Sequence, residues 1–232
     1  DLQRAAGEHS CAVHWHQTDI TDEQAAFATL GDVAMHGVRR AGLNVGESVA
    51  IFGQGVVGQL TTSLSRISGA YPVIAVDMDP HRLSMAKKSG ASHTIDASKE
   101  DAIEAIRQIT NGGAQCTIHA TRTAQTFLDC MKATSDRGKV VVLALPTDTI
   151  ELNILDELQE KELQILGSNA GRGIEGNYHP YWPWTRSRNR EEIWRMIASG
   201  EIKVDHLISH VVKPEKVDKL YQKIHAGPTG WM

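Results

Sequence analysis

Ser48-Val49-Ala50-Ile51-Phe52-Gly53-Gln54-Gly55-Val56-Val57-Gly58, followed by Val73-Ile74-Ala75-Val76-Asp77, decides the fold of this chain. An apolar, β-branched run enters Gly53, and Val56, Val57, Leu60, Leu64 and Ile67 follow at helical spacing. The stretch predicts a buried strand, a glycine turn, an amphipathic helix and a second strand ending in an acid. Such a unit holds a dinucleotide by its pyrophosphate and adenosine ribose. Gly53 permits the tight turn, Gly55 lets backbone approach a pyrophosphate, and Gly58 lets the helix pack close to the strand. Asp77 lies nineteen residues after Gly58, where a carboxylate accepts from both ribose hydroxyls and repels a 2′-phosphate. Met78 and Asp79 follow it and no arginine does, so the expected cofactor is NAD in preference to NADP. A GxGxxG pattern alone recurs by chance; the strand before it, the helix after it and the acid beyond make it specific.

Composition narrows the class. The 232 residues, 41% hydrophobic and 22% charged, describe a globular chain able to bury a sizeable core. A net charge of −4 without a long basic run argues against nucleic acid or an anionic membrane as partner. No apolar run reaches the roughly eighteen residues of a membrane span, and no secretory signal is visible. Cys11, Cys116 and Cys130 are odd in number and lack CxxC spacing, which fits free thiols in a reducing cytoplasm. Cys116 and Cys130 sit in apolar surroundings and read as core.

Alternation continues on both sides of the glycine turn. Thr21 and Gln24 form a capping-box pattern that opens a helix running to about Gly42. Helices are expected over 80–88, 98–109 and 123–131, and strands over 93–95, 115–119, 139–145 and 162–166. Strands alternating with helices mean right-handed crossovers and a doubly wound parallel sheet of about six strands. Residues 171–189, rich in glycine, proline and aromatics, read as a long loop or lid. A helix over 190–198, a strand over 207–212 and a helix from Pro214 follow, and serve a second domain. The chain starts at Asp1 and ends on Gly-Trp-Met, so both ends look cut.

Three segments have a familiar look: His36-Gly37-Val38-Arg39-Arg40-Ala41-Gly42-Leu43 with Gly46 to Ile51; Val73 to Asp77 continuing through Arg82-Leu83-Ser84-Met85-Ala86-Lys87 to Gly90-Ala91; and Gly200-Glu201-Ile202 through Leu207-Ile208-Ser209-His210. Together they make the chain, over roughly residues 20 to 226, resemble the medium-chain dehydrogenase/reductase family of zinc-type alcohol and polyol dehydrogenases. The resemblance implies a Rossmann domain at 21–170, a remnant of a GroES-like catalytic domain at 1–20, and a lid loop with elements returning toward that domain at 171–232. Most of the catalytic domain is missing on this reading, and the chain alone need not be active. The resemblance also implies contacts. Val56 and Val57 would lie on the pyrophosphate, Asp77 and Met78 beside the adenosine ribose, and Arg82 near the adenine. Ala120-Thr121, Leu143-Ala144-Leu145 and Ser168-Asn169 would line the nicotinamide half, at strand C-terminal ends where parallel sheets bind ligands.

The family often places a zinc ligand, Cys or Glu, seven residues before the position of His36; here that residue is Thr29, which is no ordinary zinc ligand. No metal ligand is therefore assigned, and zinc is expected only in an intact parent. The implied activity is hydride transfer between a polyol or sugar-like alcohol and nicotinamide, in a cytoplasmic homo-oligomer acting on a small molecule. The catalytic residues are not identifiable. A module that binds NAD(H) without turnover, or a lyase or epimerase holding NAD tightly, stands as the alternative.

Three other groupings read as structure. His9, Cys11, His14 and His16 crowd one segment, but a closed zinc site wants four well-spaced ligands, so an edge strand is preferred. Asn177 to Trp184 could stack on a substrate, yet aromatics near a domain junction more often pack. Arg186, Arg188 and Arg190 ahead of Glu191 and Glu192 read as a solvated helix start.

Overall fold

The computed structural model describes residues 19–144, 146, 148–170 and 183–225. Its centre is β1 (Val49–Phe52), buried along its whole length because both faces of a parallel sheet are covered. Around it lie β2 (Val73–Asp77), β3 (His93–Asp96), β4 (Ala114–His119), β5 (Thr134–Val142) and β6 (Gln164–Gly167), in the spatial order β3-β2-β1-β4-β5-β6. All neighbours are parallel, with Val49 paired to Val73 on one side and to Cys116 on the other. The direction of winding reverses between β1 and β4. That is the doubly wound order whose crevice binds dinucleotides.

Period-two alternation divides the core. Ala50 and Phe52 face α5 (Ala102–Thr110) and α6 (Ala124–Ala133), meeting Ile106, Phe127 and Met131. Val49 and Ile51 face the other way, toward Ala41 of α2 (Ala28–Ala41) and Leu143. Behind α2, its Ala34 and Met35 pack with Leu60 and Leu64 of α3 (Val56–Ile67), Met85 of α4 (Pro80–Lys88) and Ile193, Trp194 and Ile197 of α7 (Arg186–Ala198). Ile202, Val204 and Leu207 extend the same cluster. The region from α7 to Leu207 thus packs into the helical layer that covers the sheet, where a role in a second domain was expected. The apolar face of α7 reaches α2, and nothing in local sequence says which partner such a face will choose. By contrast α8 (Val217–His225) has no buried residue.

Other elements depart from the pattern in instructive ways. The first helix breaks at Ala26–Phe27 into α1 (Asp22–Ala25) and α2, although the Thr21–Gln24 capping box forms. α5 starts at Ala102, where Asp101 accepts from Ile103 and Glu104 N–H groups, while Ser98 is held in a turn by Asp96. β5 starts at Thr134 and stops at Val142, with its register against β4 shifted between Ala114 and Cys116. Residues 207–212 are not a strand: Asp205–Leu207 forms a 3₁₀ turn and the following residues have no ladder. A strand needs a hydrogen-bonding neighbour, and the described residues supply none there. A π-helix, Leu155–Gln159, precedes β6 and has no signature in the hydrophobic pattern. Cys116 and Cys130 are free and buried; burial pushes the Cys116 thiol up to about 12. Cys11, His9, His14 and His16 lie outside the described residues, as do Asn177 to Trp182.

The arginines of the first turns of α7 are only in part solvated: Arg188 is exposed, while Arg186 and Arg190 are half-buried. Asp32 of α2 is fully buried and accepts from Asn189 Nδ2 at 2.7 Å and from Arg186 Nε at 3.2 Å. Arg39 donates to Asn189 Oδ1, and its guanidinium lies 3.6 Å over the ring of Trp184, with Arg188 4.3 Å from the same ring. Burial, then the neighbouring Arg188, pulls the Arg39 pKa down to about 10. The Nε of Arg190 is buried too. A carboxylate placed on the apolar side of α2 recruited these cations, because a buried charge must be paired. Replacing Asp32 with Ala removes the acceptor of Asn189 Nδ2 and of Arg186 Nε together. The expected loss is about 2–3 kcal/mol of unfolding free energy in urea, and a loss below about 0.5 kcal/mol would show the pair to be incidental.

Candidate functional site

Strand β1 ends at Phe52 and the chain turns sharply at Gly53, whose φ of +95° is open to glycine at little strain. A Cβ there would stand 2.8 Å from the Ala120 carbonyl oxygen. Gly58 makes the tightest approach, since a Cβ on it would fall 1.9 Å from the Gly53 oxygen, so no side chain fits. Gly55 caps α3, and a Cβ on it would meet nothing within 4 Å. The start of α3 at Gly55 therefore opens onto the cavity described below, at the positive end of the helix dipole.

Asp77 stands across the turn at the end of β2. Its Oδ2 accepts from Gln54 N at 2.6 Å, and its Oδ1 accepts from Asp79 N at 2.9 Å. Arg82 reaches Oδ2 at 3.8 Å. A carboxylate has about four acceptor directions, so two backbone donors orient it and leave others for a ligand. Below the turn, Gln54 donates to the Ile51 oxygen and accepts from Thr62, while Gln59 donates to the carbonyls of Gln54 and Arg82 and accepts from Ser89. Both glutamines are fully buried. Their side chains satisfy backbone groups that the turn leaves without secondary-structure partners.

These elements enclose a cavity of about 600 Å³ at the C-terminal ends of β1, β2 and β4. Of the residues expected at a nucleotide site, Gly53, Gly55, Asp77, Met78, Arg82, Ala120 and Thr121 line it together. Arg122, Thr126 and Asp129 form much of the opposite wall and had no sequence signal beyond following a strand end. Val56 and Val57 pack toward α2 and the core. Leu143 is buried in the core, its Cδ1 2.8 Å from where a Cβ on Gly37 would stand. Ala144 is half-buried, Ser168 is buried, Asn169 is exposed, and Leu145 lies outside the described residues. The structure thus groups Gly53, Gly55, Asp77, Met78 and Arg82 with Ala120 and Thr121 of the expected nicotinamide-side set, while Leu143, Ala144, Ser168 and Asn169 do not line this cavity.

His119, at the last position of β4, also escaped the sequence reading. It is fully buried, edge-on to Phe127, with Nε2 3.0 Å from the Thr123 oxygen and 3.0 Å from Thr121 Oγ1. Nδ1 has no partner among the described residues. This arrangement selects the neutral tautomer with the proton on Nε2, donating to the Thr123 carbonyl. The ring pins the loop from Ala120 to Thr123, which forms one wall of the cavity. Burial lowers its pKa below 6.5, partly offset by the Thr123 bond. Among the described residues, no three of His, Cys, Asp and Glu group to hold a metal, and no helix is long and apolar enough to cross a membrane.

A family model described as zinc-binding dehydrogenase matches residues 56–187. L-threonine 3-dehydrogenase of Bacillus licheniformis is 28% identical over 194 residues, covering 82% of this chain and 51% of the relative. D-xylulose reductase A of Aspergillus niger is 30% identical over 213 residues, covering 90% and 55%. Among solved structures, one described as a zinc-binding dehydrogenase from Sinorhizobium meliloti, bound to NADP, superposes with a TM-score of 0.69 at 28% identity, over 80% of this chain and 51% of that one. The chain spans about half the length of the curated relatives it matches.

His36, His119 and His206 share one cause of lowered pKa, burial that disfavours the imidazolium. The unfolded chain then binds more protons than the folded one, and stability rises with pH. It is fully present above the unfolded value of 6.5 and falls as pH drops through 6.5 toward the folded values. Urea titrations at stepped pH should show this loss, and His119→Gln should reduce its slope. A slope identical in the variant would assign the effect to the other two rings.

Proposed function

Because this chain belongs to the zinc-binding dehydrogenase family, we propose that it serves an NAD-dependent oxidoreductase that moves a hydride between a polyol or sugar-like alcohol and nicotinamide. The observation that carries this reading is the oriented carboxylate of Asp77, 2.6 Å from Gln54 N, at the mouth of the cavity formed by the glycine turn.

The residues present fit a dinucleotide. Gly55 leaves the α3 N-terminus open to a diphosphate, whose charge the helix dipole and the free N–H groups favour. Asp77 accepts from the adenosine ribose, and Met78 and Arg82 border the same wall. Thr121, Arg122 and Thr126 close the opposite side, with Thr121 bonded to His119 and Thr126 to Thr123. A 2′-phosphate would face the Asp77 carboxylate, which favours NAD; Arg82 at 3.8 Å softens that preference. The Sinorhizobium meliloti neighbour holds NADP, so the preference is a matter of degree across such folds. When bound, the nicotinamide supplies the hydride acceptor and donor.

The expected nicotinamide-side residues Leu143, Ala144, Leu145, Ser168 and Asn169 stay part of the proposal. Leu143, Ala144, Ser168 and Asn169 do not line the cavity, and the relatives, of which this chain covers 51–55%, have further chain to close that end. The names of the threonine and xylulose relatives support a hydroxyl-bearing substrate. Zinc finds no ligand set among the described residues, and no step is assigned to it. A reducing cytoplasm fits the two buried thiols.

Calorimetric titration of the chain with NADH and NADPH tests the reading. NADH should bind at least about tenfold more tightly, roughly 1.4 kcal/mol. Asp77→Ala should weaken NADH and narrow the gap to NADPH. Equal affinities in the native chain, or no binding of either, would overturn it.

A further inference from the structure

A second cavity, of about 280 Å³, opens where the C-terminal ends of α3 and α4 meet the segment after α7. It shares no lining residue with the cavity at the glycine turn. Arg66, Lys88 and Lys203 converge on it, opposed by one carboxylate, Glu201. Glu201 is already shared with Arg195, 3.8 Å away. Among the described residues, the structure gives Arg66, Lys88 and Lys203 no acid partner.

Cations at helix C-termini ordinarily serve the helix, by capping carbonyls or opposing the dipole. Here the backbone already supplies the caps. Leu64, Ser65 and Arg66 carbonyls accept from the N–H groups of Ser68, Ala70 and Gly69 at 2.9–3.1 Å. Those of Met85, Ala86 and Lys87 accept from Ser89, Ala91 and Gly90 at 2.9–3.2 Å. Lys203 belongs to no helix. The three side chains are therefore not used as helix caps and are exposed around the cavity.

The cavity is also built. Gly90, at a φ of +106°, lets the stem of Arg66 lie across it, for a Cβ there would stand 2.7 Å from Arg66 Cδ. That seats the stem of Arg66 against the backbone at the cavity's edge and leaves its guanidinium exposed. The floor is Ser89, buried and fixed by its hydroxyl to Gln59 Oε1 at 2.7 Å and to His206 Nε2 at 3.0 Å.

We infer that this cavity binds the phosphoryl group of a small phosphate ester. Three cations against one carboxylate leave two positive charges, matching the roughly −1.5 to −2 of a phosphate monoester near neutral pH. The Arg66 fork suits two phosphate oxygens, with the lysines as point charges. At about 280 Å³ the volume sits just below the span of drug-sized pockets, about 300–1,000 Å³, so the ligand is compact. Being distinct from the glycine turn, the site stands whether or not the dinucleotide reading does.

Inorganic phosphate is the probe, followed by amide NMR of the chain. Ser89 and Gly90 should shift in a saturable way, and Lys88→Ala with Lys203→Ala should weaken that binding at least about tenfold. Both lysines are exposed, so the double variant should fold. Phosphate also suits the start of α3, and shifts at Gly55 and Val56 should survive the double variant, which separates the two sites. No shift at Ser89 and Gly90, an unchanged affinity in the variant, or the same shifts with chloride at equal ionic strength would each overturn the inference.

Discussion

The bond from the Gln54 amide to the Asp77 carboxylate ties the end of β1 to the end of β2, and the site depends on it. A turn this tight leaves backbone groups without ladder partners in a dry interior, where an unmet donor costs about 1–3 kcal/mol. The chain resolves this with side chains: Asp77 takes the Gln54 amide, Gln59 serves the Gln54 and Arg82 carbonyls, and Gln54 serves Ile51. The acid that orients the turn is the same acid that faces the cavity. The structural role and the proposed ligand contact therefore converge on one carboxylate.

That convergence is possible because helix α3 can come so close. With 1.9 Å between the Gly53 oxygen and any Cβ on Gly58, every larger residue would push the helix off the strand. The helix start would then leave the cavity, and the two buried glutamines would lose their carbonyls. Packing on the far side of α3 completes the wall, through Leu60 and Leu64 against α2 and α7. The polar knot of Asp32, Asn189 and the arginines fixes α7 on that layer, a long-range contact across more than 150 residues. Its aromatic member, Trp184, is clasped by cations from two helices and packs rather than presenting a free stacking face.

The expected strands and helices about the glycine motif formed where local pattern is strongest: β1, α3, β2 and α4 keep their expected limits to within a residue. Limits drifted where two local preferences compete, as at Ser98, which Asp96 holds in a turn while Asp101 starts the helix. The strand expected over 207–212 failed because alternation says only that a residue pair can face two ways. It does not supply a neighbour. His119, Arg122, Thr126 and Asp129 were illegible because a histidine at a strand end, or polar residues on a helix, carry no period of their own. Only the packing of α6 against β4 brings Thr126 and Asp129 to the cavity, and His119 holds the loop that carries Arg122.

From sequence alone came the βαβ unit, the doubly wound sheet, the grouping of Gly53, Gly55 and Asp77 about one turn, and the buried character of Cys116 and Cys130. These follow from spacing along the chain, and spacing is a property of covalent order and of two backbone periods. Tertiary structure alone decided that α7 packs into the helical layer that covers the sheet, that Arg186 and Arg39 gather about Asp32 and Asn189, and that Leu143 turns inward. It also brought Arg66, Lys88 and Lys203 around one cavity from three separate segments. Burial, charge pairing and close approach act through space between residues far apart in sequence, and no local pattern records which partner a side chain will meet.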